Sequence, residues 1–199
     1  FALSLMSVLP NSIFFGFVGF TSVSEVSDFL KDAVDLNIID KEVEDIANNA
    51  IQLGKTTVKD IMVPRVDMTT VSSQDKTAEI IETIIESGHS RYPVLGEDRD
   101  EVLGILLAKD ILPILANKKD EFDIKSMLRD AKVVPETKKA DSLLQEFKEN
   151  RSHLAVVIDE YGVISGLITI EDILEELVGE IEDEHDQSDV EIVELSNNK

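Results

Sequence analysis

The chain has 199 residues, 43% apolar and 30% charged, with 9 Gly and 5 Pro. That is length for one ordinary domain or two small ones, and the composition of a packed protein and not of a disordered one. Its 41 acidic and 19 basic residues leave a net charge of −22, which repels phosphate backbones at long range and argues against nucleic acid as a partner. With no cysteine, disulfides, thiolate catalysis and thiolate metal sites are excluded; His89, His153 and His185 are too few and too spread for a histidine-only zinc centre.

From Phe1 to Ser24 there is no charge, and Phe, Leu and Val are frequent, but Pro10, Asn11, Gly16 and Gly19 interrupt the stretch and a basic n-region is missing. Residues 1–23 therefore read either as the trailing end of something larger or as the remnant of a membrane region. Residues 24–56 read as a helical lead-in, in which Val43, Ile46, Ala47, Ala50 and Ile51 recur at helical spacing between an N-cap at Asp40 and a stop at Gly54. The piece Gly54-Lys55-Thr56-Thr57 imitates the end of a P-loop, but Asn49 stands where that motif needs a glycine.

An internal repeat dominates the remainder. At an offset of 62 residues, Ser90–Leu95 aligns with Ser152–Val157, and Gly104–Leu112 with Gly166–Leu174. Each copy reads as a short strand (Val71; Val133-Val134), an amphipathic helix (Ala78 to Ser87; Asp141 to Glu149), two apolar strands joined by a polar turn, and a final helix. The expected fold is α+β: two tandem β-α-β-β-α units at 57–118 and 119–183, then an acidic tail at 184–199. Tyr92–Leu95 and Leu154–Ile158 are continuous apolar runs, which predicts that both faces of those strands are covered. Since a unit of about 60 residues is marginal alone, the two are expected to pack through their sheets as a pseudo-twofold pair.

The segment Gly166 to Asp172 reads as a strand running directly into a helix. Thr169 suits the N-cap, with Asp172 as its capping-box partner three residues on, and that role needs no ligand. The same groups suit a bound adenosine nucleotide: a helix N-terminus offers N–H groups to an anion, a hydroxyl bonds sugar or phosphate, and a carboxylate accepts both hydrogens of a ribose diol. The first copy carries Leu107 at the Thr169 position, which can neither cap nor bond, so one site is expected to survive, in the second copy. The neighbours His89-Ser90 and Ser152-His153 suggest a hydrolase. Adjacent strand residues face opposite sides and no third group orients them, so no catalytic residue is assigned and enzyme activity is not expected.

Ile173, Leu174, Leu177, Val178 and Ile181 form an apolar stripe on the last helix, and from Glu171 to Glu194 there are 12 acidic residues and no Lys or Arg. Hard cations favour clustered oxygens, which makes Glu180, Glu182, Asp183 and Glu184 metal candidates; a solvated, self-repelling tail needs no ligand at all.

Three strings, Val58–Met68, Glu86–Val94 and Val157–Ile181, resemble a pair of CBS domains, named from cystathionine β-synthase, and are similar to the CorC/HlyC family associated with magnesium and cobalt efflux. The resemblance implies a regulatory module that binds an adenine nucleotide, ATP or AMP with or without magnesium, in a cleft between the two units. It also implies a homodimer that serves a membrane transport domain from the cytoplasm, at the inner face of the plasma membrane. By the same resemblance Asp172 holds the ribose, Thr169 the ribose or phosphate with Ile170 beside it, and Arg91 reaches the phosphates from the first unit. The backbone at Lys132 and Val133 flanks the adenine. For Arg91 a surface ion pair is the bland alternative. Two other readings belong to different classes: a structural dimerisation module whose clefts bind nothing, and a haemolysin-like secreted protein.

Overall fold

The computed structural model describes residues 22–98, 100–116 and 123–179, which form two compact units, one ending at Ile51 and the other starting at Gln52. Glu180, Glu182, Asp183 and Glu184, the acidic tail and residues 1–21 lie outside the described residues. The first unit is helical, as expected of the lead-in. It contains α1 (Val23–Asp35), whose N-cap Ser22 accepts the Glu25 N–H at 3.3 Å, and most of α2 (Lys41–Leu53). The Ser27 hydroxyl donates to Asn48 Oδ1 at 2.8 Å and ties the two helices.

The second unit runs α3 (Val58–Ile61), β1 (Val63–Pro64), β2 (Val71–Ser72), α4 (Thr77–Ser87), β3 (Arg91–Leu95), β4 (Val102–Leu107), α5 (Ala108–Ala116), β5 (Lys132–Pro135), α6 (Ala140–Asn150), β6 (Leu154–Ile158), β7 (Ile164–Thr169) and α7 (Ile170–Val178). The repeated order β-α-β-β-α is present in both halves. One sheet has the order β2-β3-β4 and the other β1-β7-β6-β5. The central strands β3 and β6 are buried along their middles, as their unbroken apolar runs require.

Registers in the two sheets correspond, but not at the offset the sequence suggests. Val71 pairs with Val94 and Val134 with Val157, while Val94 faces Gly104 and Val157 faces Gly166. From β2 through β3 the halves therefore correspond at an offset of 63, and only from β4 onward at 62. The difference lies in the hairpin turns, six residues (96–101) in the first half and five (159–163) in the second. The shorter turn is organised by Asp159, whose Oδ1 accepts the N–H groups of Tyr161 and Val163 at 2.9 Å each, with Gly162 at φ +81°. Arg91 is thus the counterpart of Leu154 and not of His153. The C-caps of α4 and α6, Gly88 (φ 68°) and Arg151 (φ 51°), coincide, both in the left-handed region.

A second departure concerns which half the early residues complete. Although 57–64 open the first repeat in sequence, they dock on the second half. The Val58 N–H donates to the Lys138 carbonyl and the Lys59 N–H to that of Glu136, Lys59 Nζ pairs with Glu136 at 2.6 Å, and β1 joins the sheet edge through Val63 opposite Leu167. In return, Ile124–Met127 packs on the first half, and Arg129 exchanges two backbone hydrogen bonds with Ile105, at 2.8 and 3.0 Å. Two glycines make room for this exchange. A methyl on Gly104 would stand 2.7 Å from the Arg129 carbonyl oxygen, and one on Gly166 would overlap that of Val63.

Three apolar clusters result. One lies under α6 and α7 (Val58, Val134, Leu143, Phe147, Ile173), and one under α4 and α5 (Val71, Ile80, Tyr92, Val94, Ile111). The third, between the sheets, joins Ile105 to Leu154, Val156, Ile164 and Leu167. This shared core is the expected pseudo-twofold packing of two units too small to bury enough surface alone.

Candidate functional site

At the C-terminal end of β7 the chain turns into α7 with the capping box expected there. The Thr169 Oγ1 accepts the Asp172 N–H at 3.2 Å, and Asp172 Oδ2 accepts the Thr169 N–H at 2.7 Å. The pair lines a cleft of about 370 Å³ between the halves, within the roughly 300–1,000 Å³ usual for small-molecule sites. Val63, Met68, Leu154 and Leu167 supply its apolar wall, and Arg91 comes from the start of β3 in the other half. The Arg91 side chain makes no ion pair or hydrogen bond with any described residue, so the surface-pair alternative finds no partner there. Asp67 and Glu171 also border the cleft, so carboxylates outnumber cations in it.

Of the residues expected to bind, the structure brings Thr169, Asp172 and Arg91 together. Lys132 and Val133 do not line this cleft. Lys132 is held at 2.7 Å by Glu146, 5.8 Å above the Phe147 ring, and Val133 is half-exposed on β5. Because the clefts lie between halves, the β7–α7 junction is met by the residues ahead of β2 and not by those ahead of β5. Thr69, the counterpart of Lys132 at the offset of 63, lines the cleft. The Ile170 side chain packs into the α6–α7 core, and its N–H donates to the His153 carbonyl at 3.0 Å. Sequence reasoning missed Asp67, Met68 and Thr69. Met68 and Asp67 stood in a string that carried the family resemblance, yet nothing in their own pattern marked them as lining.

His89 and Ser90 both border the cleft, because both precede β3; the alternation of strand faces does not apply to them. His89 lies 6.2 Å from the Tyr92 ring, centroid to centroid, and no described group hydrogen-bonds its ring. Lys132 and Lys138 together hold the Glu146 carboxyl below the usual carboxylate range. The larger cavity of about 560 Å³, walled by Ile81, Ile84, Ile85, Ile111 and Leu112, contains neither Thr169 nor Asp172. Among the described residues, no cluster of three His, Asp or Glu is placed to hold a metal, and no helix is long and apolar enough to cross a membrane.

The CBS domain family model matches residues 58–117 and 121–179. The chain belongs to the CBS-domain family. This CBS pair is of the CorC kind: it is 45% identical over 165 residues to the magnesium and cobalt efflux protein CorC of Escherichia coli strain K12, across 83% of this chain and 56% of that protein. The chain thus spans about half the length of the curated relatives it matches. Among solved structures, the CBS domain of a bacterial CNNM/CorC family Mg2+ transporter in complex with ATP is 34% identical, with a TM-score of 0.66, covering 69% of this chain and 98% of that one. A CBS-domain pair with bound AMP from Klebsiella pneumoniae is 31% identical, with a TM-score of 0.57 and coverage of 62% and 99%.

Proposed function

We propose that this CBS pair senses an adenine nucleotide, ATP or AMP, and acts as the cytoplasmic regulatory module of a magnesium or cobalt efflux protein. The observation that carries the reading is the convergence of Thr169, Asp172 and Arg91, which has no ion-pair partner among the described residues, on one apolar-walled cleft. In this reading Asp172 offers its remaining oxygen to the ribose hydroxyls, Thr169 and the α7 N-terminus meet the sugar and phosphate, and Arg91 neutralises phosphate. Met68 and Thr69 take the adenine flank in place of Lys132 and Val133. The capping box alone would explain Thr169 and Asp172, but it gives no reason for a cation beside them that pairs with no described residue.

ATP brings about four negative charges into a cleft that already holds Asp67, Glu171 and Asp172, so magnesium is expected to accompany it. Ligand closing the cleft shifts the two halves between arrangements, and a transport domain outside this chain reads the shift. A second copy is the expected neighbour: Ile85 and Leu112, 72% and 61% exposed, leave apolar surface uncovered on the α4–α5 side.

Isothermal titration with ATP, with and without magnesium, tests the reading. Wild type is expected to bind, more tightly with magnesium, and Asp172→Ala to weaken binding by roughly tenfold or more, the factor of a charge-assisted hydrogen bond. Thr169→Ser, which keeps the hydroxyl, is expected to bind normally. No heat from the wild type, or equal affinity in Asp172→Ala, would refute it.

A further inference from the structure

We propose that the opposite cleft, the pseudo-twofold mate of the nucleotide cleft, binds a compact multiply charged anion of the pyrophosphate class that carries no nucleoside. Its volume is again about 370 Å³, but its lining is inverted in character. Arg91, Lys109, Arg129 and Arg151 border it, with the carboxylate of Asp130 on its lining and that of Asp110 paired to Arg129. In a chain of net charge −22 with 19 basic residues, four cations around one cavity stand out against the global field. Like charges held together cost energy until an anion neutralises them.

Four changes from the first cleft remove nucleoside recognition or add positive charge. Leu107 stands at the Thr169 position, so no hydroxyl is offered. Asp110, the mate of Asp172, is held at 3.1 Å by Arg129 and turned from a ribose acceptor into an ion-pair partner. Lys109 replaces Glu171, and Arg151 replaces Gly88 at a left-handed C-cap where glycine would be less strained. The side chains of Lys109 and Arg151 make no hydrogen bond or ion pair with a described residue. Guanidinium forks and an ammonium fit clustered phosphate oxygens, not a purine or a sugar.

Titration of inorganic pyrophosphate into the full chain, without nucleotide, tests this. Saturable binding is expected, weakened roughly tenfold by Arg151→Gly and by a similar factor for Lys109→Ala, the loss of one charge-assisted contact each. Arg151→Gly suits the left-handed backbone, so lost binding in that variant is not lost folding. Asp172→Ala is expected to leave pyrophosphate affinity unchanged. Absence of saturable binding, or binding lost in Asp172→Ala yet intact in Arg151→Gly, overturns the proposal, the second result placing the anion in the first cleft. A chain that binds pyrophosphate but not ATP would overturn the nucleotide reading and leave this one standing; one that binds ATP but not pyrophosphate would do the reverse.

Discussion

Glu146 shows how a single half-buried carboxylate can be coupled to the fold. Lys132 from β5 and Lys138 from the loop before α6 both pair with it, and their hydrogen bonds, helped by their charges, lower its proton affinity below that of a free glutamate. A carboxyl whose folded pKa is depressed contributes stability above its unfolded pKa and loses it as pH falls through the folded value. Glu146→Gln should therefore lower the melting temperature near neutral pH, by an amount that shrinks as pH falls through the lowered folded value, below which the carboxylate is protonated in both states. Melts followed by circular dichroism across that range check it, and a Glu146→Gln penalty independent of pH would contradict the assignment. Thr169 and Asp172 form a capping box and also line the cleft, so the capping pattern alone could not assign either to binding. Lys132 stands outside this cleft for a different reason: the residues ahead of β2, in the other half, line it instead.

At the scale of elements, the glycines opposite the exchanged segments govern the sheet edges. Adding a methyl at Gly166 forces β1 away from β7, and overpacking of this kind typically costs about 1–3 kcal/mol. Gly166→Ala is expected to lower stability by that amount in chemical denaturation, and a change smaller than a few tenths of a kcal/mol would show that β1 adapts freely. The repeated helices and strands were legible because their apolar spacing is strong: α4, α6, β3 and β6 all stand where periodicity put them. The offset was not, because Ser90 and Ser152 align by coincidence, and a one-residue difference between two hairpin turns is invisible to pattern matching. β1 escaped notice because two residues, one of them proline, carry no periodicity, and its partner strand lies about a hundred residues away in sequence.

At the scale of the whole molecule, each half's sheet edge is finished by chain belonging to the other, and a shared apolar layer lies between them. Neither half can open without exposing its neighbour's edge. Residues 52–179 are therefore expected to unfold as one cooperative transition, with calorimetric and van't Hoff enthalpies equal for that transition. Two resolved transitions assignable to the two halves would contradict this. The acidic charge seen first in the composition is unevenly distributed over this body: the clefts on its two sides differ in sign, one bordered mainly by carboxylates and the other by cations.

The reciprocal exchange also bears on how one repeat would stand alone. A lone repeat would present an unfinished sheet edge, a glycine vacancy shaped for a foreign carbonyl and a loose leading segment with nowhere of its own to dock. A single repeat folded this way would satisfy all three needs only by pairing with a second copy, and the two unlike clefts show how far the halves differ from each other.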